Sequence, residues 1–162
     1  MAMLLSDLDV RKLSAAATGG STREVAAHAR RLVLNEIARR GGTAREVRVG
    51  LRTEIHLTGP GGSRRLRVVS RRRGDWQSSI REGDTKGEPD RFWVFVDLTT
   101  TPADFHIGPE DEVVHGIRTR HEEYLRRNGG RRVQNDASLH CAIRLRDLDG
   151  FAGRWDLLGL GG

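Results

Sequence analysis

The stretch Phe92-Trp93-Val94-Phe95-Val96-Asp97-Leu98 constrains the fold more than any other. It is short, aromatic and β-branched, and reads as a strand. Apolar side chains at consecutive positions fall on both faces of a strand, so this one has to be covered above and below. Two amphipathic segments can do that. Ser21-Thr22-Arg23-Glu24 has the form of a capping box. Val25, Ala29, Leu32, Val33 and Ile37 follow at helical spacing, and Gly41-Gly42 ends the run. Gly108-Pro109-Glu110-Asp111-Glu112 opens a second helix, with proline in its first turn and acids at the positive end of its dipole. Val113, Val114, Ile117, Tyr124 and Leu125 supply its core side, and Arg126, Arg127 and Gly129 close it.

Between the helices the period changes to two. Val47, Val49 and Leu51 alternate with Glu46 and Arg48, and Ile55 and Leu57 keep the parity, which leaves Glu54 and His56 on the polar face. Gly59-Pro60-Gly61-Gly62 turns the chain into a further strand of a hairpin or meander. Leu66 and Val68 share one face of that strand, and Arg65, Arg67 and Val69 the other. It then breaks into Arg71-Arg72-Arg73-Gly74 and Asp75-Trp76-Gln77. A long loop is expected over residues 83–90, a short strand over 105–107, a loop over 128–136, an edge strand over 139–143 and a terminal helix over 147–158. The predicted organisation is an N-terminal arm (1–20, with a short helix around 4–13) and a single α/β domain (21–162). Its mixed central β-sheet is flanked by the two helices.

The 162 residues carry a net charge of +6, and of 28 basic residues only Lys12 and Lys86 are lysine. An arginine bias accompanies a GC-rich genome, but planar guanidinium forks also suit phosphate. The charge balance points to an anionic partner. Arg64, Arg65, Arg67, Arg71, Arg72 and Arg73 are the residues expected to neutralise nucleic-acid phosphates, joined by Trp76 and Gln77. Two readings of Trp76 stand side by side: a stacking or wedge aromatic at the surface, and a core residue below a solvated turn. No apolar run is long enough to cross a bilayer, and Asp7 and Asp9 near the start do not fit a secretory signal, so a cytoplasmic location is expected. Cys141 is the only cysteine and reads as a small buried residue. His121-Glu122-Glu123-Tyr124-Leu125 lacks a second histidine, and His140-Cys141 lacks a second cysteine at ligand spacing, so no zinc site is expected.

The run Val68-Val69-Ser70-Arg71-Arg72-Arg73-Gly74-Asp75-Trp76-Gln77 and the strand at 92–98 are followed by Ile107-Gly108-Pro109-Glu110 and the tail Arg154-Trp155-Asp156-Leu157-Leu158-Gly159. In this order they resemble the restriction-endonuclease-like PD-(D/E)XK superfamily, in particular small actinobacterial proteins of that group. The resemblance covers residue 24 to the C-terminus. It implies a restriction-endonuclease-like fold and metal-dependent phosphodiester hydrolysis, with a carboxylate on the second strand and a Glu/Gln-x-Lys triplet on the third, both facing Mg²⁺. Carried onto this chain, the resemblance makes Glu54 the metal-binding and catalytic carboxylate, with Glu24 as an outer acid. The triplet reads Arg67-Val68-Val69. Arginine cannot ligate a cation, and valine cannot hold or relay a proton. Gln77 and Asp97 are the positions to which missing groups would have moved.

The expected function is therefore nucleic-acid binding, DNA ahead of RNA, on a nuclease-like scaffold that has lost catalysis and needs no cofactor. The alternatives are an Mg²⁺-dependent endonuclease with relocated residues, and a protein-interaction or self-assembly module that forms a homo-oligomer.

Overall fold

The computed structural model describes residues 20–130 and 139–161. The helix expected over 4–13, and residues 131–136 of the expected loop, lie outside the described residues.

Helix α1 (Thr22–Arg39) starts where the sequence places it, with the Glu24 N–H donating to Ser21 Oγ at 3.2 Å. Ala29, Val33 and Ile37 recur every four residues and are its buried stripe. Strands β1 (Thr43–Val49), β2 (Arg52–Gly59) and β3 (Gly62–Arg71) form an antiparallel meander. Strand β4 (Trp76–Ser79) and a 3-10 turn (Ile80–Asp84) lead to β5 (Arg91–Asp97), which pairs parallel to β3. Strand β6 (Asp104–Pro109) pairs antiparallel to β5 and runs directly into helix α2 (Glu110–Arg127). The result is a mixed five-stranded sheet of order β1-β2-β3-β5-β6. A parallel pair cannot be joined by a tight turn. The segment between β3 and β5 therefore crosses one face of the sheet, where β4 forms a separate two-stranded sheet with β7 (His140–Ile143).

Both faces are covered, as the 92–98 stretch requires. On the first, Ile55, Leu57, Leu66, Phe92, Val94, Val96 and Ile107 pack against α1 and against Trp155, Leu158 and Leu160. On the second, Trp93 and Phe95 pack against Trp76, Val113, Val114, Ile117, Ile143 and Leu148. Every residue from Phe92 to Val96 is at most 7% exposed. Burial of a large apolar side chain contributes about 1.5–3 kcal/mol, so this strand anchors both layers.

Four expectations change. Tyr124, expected on the core side of α2, is exposed. Leu51 lies at the β1–β2 tip beside Gly50 (φ +60°) and is 94% exposed, instead of continuing an apolar face. The 147–158 segment is not one helix. Left-handed Gly150 (φ +82°) and Gly153 (φ +62°) divide it into two 3-10 turns, Leu145–Leu148 and Trp155–Leu158. The start of the expected 83–90 loop belongs to the 3-10 turn Ile80–Asp84, whose Gly83 is buried against the Arg118 backbone of α2.

His106 on β6 is nearly buried, in edge-on contact with Trp76 at 5.9 Å. Burial lowers its pKa from the ordinary value, and Asp104 and Asp97 oppose that only in part. The unfolded chain therefore takes up this proton first as the pH falls. The contribution is complete above about pH 6.5 and declines below it. Urea midpoints are expected to drop from neutral pH toward pH 5, and the drop should be smaller in His106→Leu.

Candidate nucleic-acid interface

The candidate surface comes from a ladder that stops early. Strands β2 and β3 pair from Gly59–Gly62 to Ile55–Leu66 and no further, although β2 extends back to Arg52 and β3 onward to Arg71. Beyond Leu66, β3 is paired on one side alone, from Arg67–Trp93 to Arg71–Asp97. On its other side a groove opens between the start of α1 and the β1–β2 hairpin. Two cavities of about 410 and 350 Å³ make it up, and they share Ala26, Val68 and Val69 as lining residues.

Arginine dominates the lining. Arg23, Arg30, Arg48, Arg52 and Arg67 line one cavity, Arg71, Arg72 and Arg73 the other, and Asp75 is the only carboxylate in either. Behind them, acids fix the deeper guanidiniums. Arg67 and Arg52 share Glu82 at 2.7 and 2.9 Å, and Arg30 meets Glu46 at 3.1 Å. Arg71 donates to Asp97 at 2.6 Å and to the Gly74 carbonyl at 3.0 Å, while stacking 4.1 Å above the Trp76 ring. Arg72 donates to the Gly20 carbonyl at 2.8 Å. Arg23 and Arg73 line the groove and have no hydrogen bond or ion pair among the described residues.

Burial works to raise the Glu82 carboxyl, but Arg67 and Arg52 outweigh it and hold its pKa below the usual range. Asp97 is likewise held low against burial by Arg71 and Thr99. Both acids stay ionised at neutral pH, and their contribution to stability is lost only as the pH falls below about 4. Among the described residues, Glu46, Glu82 and Asp97 pair with Arg30, Arg52, Arg67 and Arg71, and Arg23, Arg48, Arg72 and Arg73 have no carboxylate partner.

The sequence-derived set divides. Arg67, Arg71, Arg72, Arg73 and Gln77 line the groove. Arg64 and Arg65 do not. They sit toward the other end of β3, roughly 23 Å from Arg72 at strand rise. Arg65 is held there by Glu88 and by Asp90 at 2.9 Å, and its pKa is raised, chiefly by the Asp90 hydrogen bond. Trp76 is fully buried and its Nε1–H donates to the Val96 carbonyl at 3.1 Å, which corrects the reading of it as a surface stacking aromatic. Arg23, Arg30, Arg48 and Arg52 were not singled out from sequence. Their common signal is only that they fall off the apolar stripes of α1, β1 and β2.

The second sheet face holds the position of the expected metal carboxylate. Glu54 is 4% exposed and shares this side with Arg67 and Val69, as strand parity requires. Arg91 donates to it, and His56 Nε2 lies 3.4 Å away. Arg91 also reaches Glu110 at 3.5 Å, and the Trp93 Nε1–H donates to Glu110 at 3.3 Å. Arg67 stacks 4.1 Å above Trp93. A guanidinium thus joins the two carboxylates that a cation would have to share. Glu24 is exposed on α1, against the opposite face of the sheet, so it does not join Glu54 as an outer acid. Asp97 is committed to Arg71 and to Thr99. Among the described residues, no three His, Cys, Asp or Glu side chains are grouped to hold a metal ion. This donor set does not fit Mg²⁺, which needs unpaired oxygens. This sheet face is covered by the chain's own α2, β4 and β7.

No helix among the described residues is long and apolar enough to cross a membrane. No family model, curated protein or solved structure matches the chain. The functional reading therefore rests on the chemistry of the arginine-lined groove.

Proposed function

We propose that this chain is a nucleic-acid-binding protein that seats a phosphodiester backbone in the groove between α1 and the β1–β2 hairpin, on a restriction-endonuclease-like scaffold without hydrolytic activity. One observation carries the reading. Where β2 and β3 part, eight arginines and a single carboxylate line the opening. Guanidiniums held in place by acids behind them are preorganised for phosphate oxygens, and those with no ion-pair partner among the described residues supply adjustable charge. The scaffold assignment is supported by the order of elements: a helix, three antiparallel strands, a crossover and a fourth strand parallel to the third. It is also supported by Glu54, Arg67 and Val69 sharing one face, where the resemblance reserves an acid on the second strand and a triplet on the third.

Phosphate contacts displace counterions, so log K for a labelled oligonucleotide should fall linearly with log salt. Anisotropy titrations at several salt concentrations measure this. Binding that ignores salt, or that is absent at low salt, contradicts the proposal. Incubation with supercoiled plasmid and Mg²⁺ or Mn²⁺ is expected to produce no nicking, from the native chain and Glu54→Ala alike. Cleavage by the native chain that Glu54→Ala abolishes would restore the endonuclease reading.

A further inference from the structure

Resting on that reading, we infer that the groove recognises only the sugar–phosphate backbone, through guanidiniums together with the main-chain amides of Val68 and Ser70. The ligand class is a linear run of phosphates, paired or unpaired, of any base.

The amides follow from strand parity. The Arg65 N–H donates to the Asp90 carbonyl at 2.9 Å, and the Arg71 carbonyl accepts from the Leu98 N–H at 2.8 Å. The β3–β5 register is one-to-one between these points, with no bulge. Odd-numbered residues of β3 thus direct their backbone groups to β5, and Leu66, Val68 and Ser70 direct theirs the other way. Leu66 pairs with Ile55, but Val68 and Ser70 have no strand opposite. Their N–H groups face the groove that Val68 and Ser70 line. Backbone N–H groups are donors that position phosphate and carry no base information.

No aromatic side chain lines the groove to stack on a base. Trp76, Trp93, Trp155, Phe92 and Phe95 are buried, and Phe105 and Phe151 pack against the two cores. Tyr124, the exposed aromatic, lies in a different cavity with His121 and Cys141. Residues 1–19 and 131–138 contain no Phe, Trp or Tyr. Single-strand binders that hold bases do so on aromatic platforms, and none is available here. The amide and acid side chains of the groove are engaged: Gln77 donates to the Asp75 carbonyl at 3.3 Å, and Asp75 faces Arg144 at 3.8 Å.

Competition against a labelled oligodeoxyribonucleotide at low salt tests this. Unlabelled duplex, single strand, an abasic deoxyribose-phosphate oligomer and inorganic polyphosphate are expected to compete within about threefold per phosphate, with poly-glutamate at least roughly tenfold weaker. An abasic oligomer or polyphosphate that competes tenfold or more below base-bearing strands overturns the inference and leaves nucleic-acid binding standing. Poly-glutamate competing as well as polyphosphate overturns it in favour of an acidic extended peptide on the open strand edge. Absence of binding by the labelled strand overturns both this inference and the reading beneath it. Ser70→Pro removes one amide donor and should weaken binding about tenfold with little change in thermal midpoint, because proline is tolerated where its nitrogen faces away from the ladder. Ser70→Ala, which keeps the amide, should bind as the native chain does. A Ser70→Pro variant that binds normally, or that unfolds because the amide belongs to the ladder, contradicts the assigned edge.

Discussion

Arg91→Ala is expected to lower unfolding stability by about 3–5 kcal/mol, the usual result of removing one partner from a buried ion pair. The argument is one of desolvation. Glu54 is 4% exposed, Glu110 lies on the same guanidinium, and the surrounding surface is strand backbone, Trp93 and Arg67. Without Arg91, two carboxylates are left together with little water to screen them. Urea unfolding followed by tryptophan fluorescence checks the loss. Glu54→Gln added to Arg91→Ala should recover part of the loss, and the double-mutant cycle isolates the pair. Mn²⁺ should raise the midpoint of Arg91→Ala and leave that of the native chain unchanged, because only the variant frees carboxylate oxygens for a cation. An Arg91→Ala chain as stable as the native one, or a native chain stabilised by Mn²⁺, would show that the guanidinium does not hold the cation position.

The second large effect is on binding. Arg23→Glu with Arg73→Glu should weaken oligonucleotide affinity at low salt by roughly 100-fold or more, since each charge-assisted contact contributes about 1.5–3 kcal/mol. The log–log salt slope should also become shallower by about two. Neither residue has an ion-pair partner among the described residues, so the thermal midpoint should barely move. Arg65→Ala is the informative contrast. It removes a guanidinium that sequence places in the phosphate-binding set, but the structure commits it to Glu88 and Asp90 at the far end of β3. Its affinity should match the native chain.

That contrast also shows which links from sequence to function can be read directly. The consecutive apolar residues at 92–98, the parity that sets Leu66 and Val68 against Arg67 and Val69, and the turn at Pro60-Gly61 all depend on near neighbours, and all are legible. The partners of the arginines are not. Arg67 finds Glu82, Arg65 finds Asp90 and Arg71 finds Asp97 across 15, 25 and 26 residues. The β3–β5 register brings Arg71 to Asp97, and the crossover between those strands brings Glu82 and Asp90 to Arg67 and Arg65. The place where β2 leaves β3 is equally hidden, because it depends on how two strands diverge and leaves no residue signature. Trp76 belongs to a four-residue strand, too short for periodicity to fix its face, and its burial follows from pairing with β7. The tail was read as a helix from Phe151, Trp155 and Leu158, whereas Gly150 and Gly153 with positive φ decide its path.

The central claim, that the opening beside β3 holds phosphates, is tested most directly by paired salt titrations of one labelled duplex with the native chain and with the Arg23→Glu, Arg73→Glu variant. The account predicts tight, salt-sensitive binding by the first and a weaker, flatter salt dependence for the second at equal thermal stability. Identical curves for the two proteins, or no binding by either at low salt, would contradict it.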